Sequence, residues 1–276
     1  MTITEAFEAY RTDVIVFQNQ SPKTEENHQI CKRHLLVFFG EQQIEGLNFQ
    51  MIRDWKVELS KHRSPETVRN YIIKLRVVLD YLIKRGIPCI NPEQIPVPKR
   101  VDKIPVFLTK EQVAQCIDAT KRHKNKAIVS LLYASGIRIS ELCSLDRGQI
   151  NDRRFTVVGK GGKARLCFLD ERTELLVDRY LVTRSDNVPA LFVSDSGRRI
   201  TPGVIQETFK TIRKQTGIAV HPHALRHSFA TNLLSTNTNL FHVSKMLGHA
   251  QLSTTQQYLH VIDPDLQLVY NSHHTV

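Results

Sequence analysis

Pro88, Pro92, Pro96, Pro98 and Pro105 crowd the stretch from Gly86 to Pro105. Proline lacks an amide hydrogen and has a fixed φ, so no regular helix runs through such a stretch, which stays extended and semi-rigid. This divides the 276 residues. Single cores rarely grow beyond ~250–300 residues, so two compact units joined here are the simplest arrangement. The expected boundaries are an N-terminal domain over 1–98, a connector over 99–107 with Lys99, Arg100 and Lys103, and a second domain over 108–276. With 41% hydrophobic and 24% charged residues, both halves hold enough apolar material for a core.

Before the connector, apolar residues recur at helical spacing over 4–17, 24–39, 48–59 and 64–82, predicting four helices. In the last of them Ser64 can cap, Pro65 suits the first helical position, and Val68, Tyr71, Ile72, Leu75, Val78, Leu79 and Leu82 form one stripe. Arg69 and Arg76 fall on its other faces, with little acidic compensation, and are candidate contacts to a polyanion; Lys99 and Arg100 of the connector are two more.

After the connector, Thr109 and Gln112 have capping-box spacing. Helices are predicted over 109–119, 125–134 and 139–145, followed by strands 155–158 and 166–169 joined by Gly159-Lys-Gly-Gly-Lys163. Helical patterns then return over 171–180, 204–215, 224–234, 240–247 and 254–259. The fold class is therefore mainly α with a small β-sheet.

The net charge of +11 at pH 7 sets up a field that attracts polyanions in a salt-dependent way, and nucleic acid is the leading partner. Lys163, Arg165 and Arg199 add candidate contacts in the second domain. No run approaches the ~20 apolar residues of a membrane span, and Glu5 and Glu8 break a signal-peptide pattern, so a cytoplasmic protein with no membrane partner is expected. Cys31, Cys89, Cys116, Cys143 and Cys167 are scattered and suggest neither disulfides nor a zinc site.

Several fragments carry chemistry. His223 and Arg226, three apart just after Pro222, share a helix face. Gly248 can end a helix and place His249 on a bend, and Leu252-Ser-Thr-Thr-Gln-Gln-Tyr258 follows. Upstream, Arg138 stands behind the Gly136 break and beside Glu141, which could orient it. Taken in order, G-I-R-I-S-E-L, G-K-G-G-K-x-R, H-x-L-R-H, L-G-H and S-T-T-x-x-Y resemble the motif series of the tyrosine recombinase (phage integrase) family over about 108–261. The first hundred residues resemble the family's helical core-binding (SAM-like) domain in character and position.

That resemblance implies a C-shaped clamp on DNA and a site-specific recombinase, Xer-like or transposon-resolvase-like. It makes Arg138 and Arg226 the paired arginines, Lys160 the hairpin lysine with Lys163 as its alternative, His223 and His249 the histidine-region residues, and Tyr258 the nucleophile. It further implies a homotetramer on its double-stranded DNA site, a monomer or weak oligomer when free, a possible second recombinase or accessory protein, a Holliday junction, and no cofactor or metal. The tail after Pro264 would, by the same resemblance, pack into a neighbour, while the sequence alone equally allows a frayed or self-packed end. No additional arm-binding domain is expected before the core-binding domain.

The residue types suit phosphoryl transfer on physical grounds. Arginines stay protonated and fork hydrogen bonds to two phosphate oxygens. A tyrosine of pKa ≈ 10 needs their field and a base such as His223 to attack at neutral pH, while Lys160 could protonate the departing oxygen. The sequence leaves rivals open. His223, His227 and His249 could ligate a metal, although Ala224-Leu-Arg226 between the first two supplies no glutamate base and a cation instead. A non-catalytic DNA-binding protein and a type IB topoisomerase use the same charge or chemistry. His221, His242, His260, His273 and His274 are expected to be structural.

Overall fold

The computed structural model describes residues 1–99, 106–159, 162–236, 238–248 and 251–256. The chain divides into two compact units, Met1–Lys103 and Ile104–Val276, a split inside the proline-rich stretch. Residues 100–105 of the expected connector, with Arg100, lie outside the described residues, as do Lys160, His249, Tyr258, the end of the helix predicted to 259, and the tail.

The first unit is helical. α1 (Ile3–Tyr10) opens with a capping box between Thr2 and Glu5. The helix predicted through Phe17 instead widens into a π-helical segment, Arg11–Val16, in which the Phe17 and Gln20 amides reach back five residues to the carbonyls of Thr12 and Ile15. The wider turn shifts the register: Ile15 is buried and Phe17 exposed, where an uninterrupted helix would have carried the Ile3–Phe7–Tyr10 stripe to Val14 and Phe17. α2 (Pro22–Phe39), α3 (Phe49–His62) and α4 (Pro65–Lys84) start at the caps Ser21, Asn48 and Ser64. The predicted stripe of α4 is buried in full and packs with Trp55, Leu35 and Phe7 in one core.

The second unit is built around α6. Here α5 (Lys110–Asp118) begins with the Thr109–Gln112 capping box, both hydrogen bonds being formed. Helix α6 (His123–Ser135) buries Ala127, Ile128, Val129, Leu131 and Leu132 on all sides, the pattern of a central helix. Next come α7 (Ile139–Ser144) and an antiparallel hairpin of β1 (Arg154–Val158) and β2 (Ala164–Phe168), with Val157 opposite Arg165. The second strand starts two residues earlier than predicted, because the Gly159 amide donates to the Lys163 carbonyl at 2.9 Å and closes the ladder there. Helices α8 (Glu171–Val182), α9 (Pro202–Thr216), α10 (Pro222–Leu234), α11 (Leu240–Leu247) and α12 (Ser253–Gln256) complete the described fold. α6 packs on α5, α8 and α10, and the hairpin's β2 packs on α11. No helix among the described residues is long and apolar enough to cross a membrane.

Candidate active site

Two helix ends and two helix starts meet around a groove. α6 stops at Gly136, whose φ of 61° is left-handed. A Cβ there would lie 2.4 Å from the Phe229 ring, so both backbone and packing require glycine. The chain turns through buried Ile137 and delivers Arg138 to the N-cap of α7. Glu141, one turn on, fixes it twice: the Arg138 backbone amide donates to Oε2 at 2.7 Å and Nη1 donates to Oε1 at 2.9 Å. Only 5% of Glu141 is exposed. Burial alone would raise its carboxyl pKa, but hydrogen bonds from Arg165 and Arg138 outweigh that and hold it below the ordinary value. The carboxylate is therefore a fixed anion behind the groove.

α10 supplies the facing side. His221 caps it, Nδ1 accepting from the Ala224 amide at 3.0 Å, and although expected to be purely structural it also lines the groove. His223 and Arg226 follow one turn apart. Arg226 is 3% exposed; its Nη1 donates to the Gly136 carbonyl and its Nη2 to the Leu247 carbonyl, each at 2.6 Å. Both acceptors end helices, α6 and α11, where unpaired carbonyls concentrate partial negative charge. One guanidinium thus ties the Arg138 turn to the turn at Gly248, itself left-handed at φ 65°.

His223 presents an exposed edge to the groove, but partial desolvation and the charges of Arg226 and Arg138 lower its pKa below the usual histidine value. The shift favours the neutral imidazole, the form able to accept a proton. His227 sits 5.4 Å away, ring centre to ring centre, and burial with the neighbouring His223, His221 and Arg226 pushes its pKa down to about 4. The third histidine of the metal reading, His249, lies outside the described residues. The Arg226 charge beside the pair opposes a second cation. The groove, about 360 Å³, is lined by Arg138, Ser140, Gln206, His223 and Arg226 over an Ile137 floor. Its dimensions and charge suit a phosphodiester. Gln206, from α9, was not expected; nothing in its local sequence marks it.

Of the six candidate catalytic residues, the structure brings Arg138, His223 and Arg226 together. Lys160, His249 and Tyr258 lie outside the described residues. The candidate DNA contacts fare differently. Lys99 and Lys163 are exposed. Arg69 lies 3.9 Å from Glu66, and Arg76 is half-buried beside Asp80 and Glu93. Arg165 is a correction: it is 9% exposed, and all three of its guanidinium nitrogens donate to Glu141 or Met246, so it is an internal clamp. The alternation of β2 carries the signal, since Arg165 shares a face with buried Cys167. Arg199 is corrected in part, because its donors are directed to the Cys143 and Leu145 carbonyls and to Asp146.

Residues 106–264 match the model of the phage integrase family. The chain belongs to this family of tyrosine recombinases. Its curated relatives include tyrosine recombinase XerC of Alcanivorax borkumensis, 33% identical across 92% of this chain and 88% of the relative. They also include XerD of Oceanobacillus iheyensis, 35% identical across 77% of both chains. Among solved structures, the Tn1549 transposon integrase in complex with transposon right end DNA superposes with TM-score 0.79 at 20% identity, covering 100% of both chains. A lambda integrase dimer bound to a core site gives 0.78 at 16% identity, covering 94% of this chain and 95% of that one. The recombinase is thus a site-specific DNA-recombining enzyme with the mainly helical fold expected.

Proposed function

We propose that this recombinase cuts and rejoins DNA by transesterification at the groove between α7 and α10. Tyr258 attacks the scissile phosphorus; the bond from its oxygen to phosphorus forms as the bond to the 5′ oxygen breaks. His223 accepts the phenol proton, Lys160 gives one to the leaving 5′ oxygen, and Arg138, Arg226 and His249 hold the phosphate. The product is a 3′-phosphotyrosyl enzyme with a free 5′ hydroxyl, and the conserved ester energy lets a second DNA end reverse the attack. The reaction needs neither ATP nor a metal ion. The observation that carries this reading is the convergence of Arg138, His223 and Arg226 on one groove with buried Glu141 behind them.

The partner is a double-stranded recombination site, and a homotetramer on two such sites passes through a Holliday junction; a second recombinase or an accessory protein is a further candidate partner. The match to Xer relatives over most of both chains favours dimer or cointegrate resolution, with integration and excision of a mobile element as the second reading, supported by the likeness to the Tn1549 integrase.

The test uses a site selected from a random duplex pool, rebuilt as a nicked suicide duplex and incubated in EDTA. Wild type forms a covalent adduct on denaturing gels and Tyr258→Phe forms none. Tight binding without an adduct, with cleavage appearing only on addition of zinc or magnesium, contradicts the proposal.

A further inference from the structure

Arg165 sits in β2 opposite Val157 and is turned inward. Its Nη1 and Nη2 donate to the two oxygens of Glu141 at 2.8 and 2.6 Å, and its Nε donates to the Met246 carbonyl at 2.9 Å. Glu141 in turn holds Arg138. Met246 lies in the last turn of α11, next to Leu247, whose carbonyl takes Arg226. A continuous chain, Arg138–Glu141–Arg165–Met246, therefore runs from the groove to the helix end that leads into Gly248. The turn at Gly248 closes directly over the clamp: a Cβ there would lie 2.9 Å from Arg165 Cδ and 3.1 Å from Nη1. Gly159 lies on the clamp's other side, where a Cβ would fall in contact range, 3.4 Å from Arg165 Nη1.

We propose that Arg165 is a positioning residue for phosphoryl transfer, fixing Arg138 relative to the end of α11 through Glu141 and the Met246 carbonyl, without touching DNA. The inference rests on the groove being the phosphate site. A lysine keeps the charge but not the planar fork, so it cannot hold both carboxylate oxygens and the carbonyl at once. Misplacement of reacting groups by about 1 Å costs on the order of 10² in rate.

The experiment compares the full-length wild type with Arg165→Lys on the selected duplex. It reads the melting temperature, Kd against salt, and single-turnover adduct formation at saturating DNA. The last is repeated with a 5′-phosphorothiolate at the scissile position, whose thiolate departs without a proton donor. The expected Arg165→Lys protein melts within a few degrees of wild type, binds with the wild-type Kd and salt slope, and forms adduct roughly 30–100-fold more slowly on both substrates. A weaker Kd with a shallower salt slope overturns the proposal in favour of a phosphate contact. Rescue by the phosphorothiolate overturns it in favour of a role through the hairpin lysine. Wild-type rates with a wild-type Kd overturn it as well. If Arg165→Lys does not fold, the near-isosteric Glu141→Gln tests the same chain and is expected to show the same unrescued loss at unchanged Kd. If wild type itself forms no adduct, the reading of the groove fails, a result distinct from normal wild-type cleavage beside a normal Arg165→Lys.

Discussion

α4 of the first unit and α10 of the second both carry arginines, and they treat them in opposite ways. α4 has one apolar stripe, so its cations lie on the remaining faces, where Arg69 is 3.9 Å from Glu66 and Lys84 pairs with Asp80 at 2.7 Å. Such solvated pairs contribute about 0–1 kcal/mol each. α10 buries Ala224, Leu225, Ser228, Ala230 and Thr231 around its circumference, and Arg226 is buried with them. Apart from the groove edge it shares with exposed His223, that guanidinium has little solvent to reach, and it settles on two helix-end carbonyls and gains a fixed geometry. An amphipathic helix thus supplies charge to its surroundings, whereas a buried one supplies position.

The comparison can be sharpened by mutation. Arg226→Lys retains the charge but cannot bridge Gly136 and Leu247; adduct formation at saturating DNA should fall roughly 10²–10³-fold while Kd changes little. An equal loss in Kd would make Arg226 an affinity residue like those of α4. Gly136→Ala adds a methyl against Phe229 at a left-handed position and should cost about 2–4 kcal/mol, read as a lowered denaturation midpoint; an unchanged midpoint would mean the turn under Arg138 is not rigid. Titration gives a smaller signal. His227 has a folded pKa of about 4, well below its ordinary 6.5. The unfolded chain therefore binds more protons between those values, so stability present above pH 6.5 is lost as pH falls toward 4. His227→Gln should flatten that slope in thermal melts; an unaltered slope would assign it to other groups, His28 first, whose pKa burial also lowers to about 4. The smallest effect belongs to α4: Arg69→Ala should weaken DNA binding a few-fold and reduce the salt slope by about one, with cleavage at saturating DNA unchanged.

How much was legible follows the same division. The caps Ser64 and Thr109, the stripe of α4, the breaks at Gly136 and Gly248 and the Arg138–Glu141 pairing are set by residues within a turn of each other, and all are formed. The π-helical turn after Tyr10 leaves no local mark, because it is the core's demand for Ile15 that shifts the register. Arg165 was misread because its partners, Glu141 and Met246, are 24 and 81 residues distant. Composition and position favour a basic strand residue facing DNA, and only the strand's alternation argues for the inside. Gln206 reaches the groove through the packing of α7 on α9, which no local pattern announces.

The central claim is that the groove holding Arg138, His223 and Arg226 serves a tyrosine nucleophile. The most direct measurement is mass spectrometry of the DNA adduct trapped in EDTA and trimmed by protease and nuclease. A nucleotide-bearing peptide whose modification maps to Tyr258 is the predicted result. Modification of any other residue, or no covalent adduct from a chain that binds and processes the site, would contradict it.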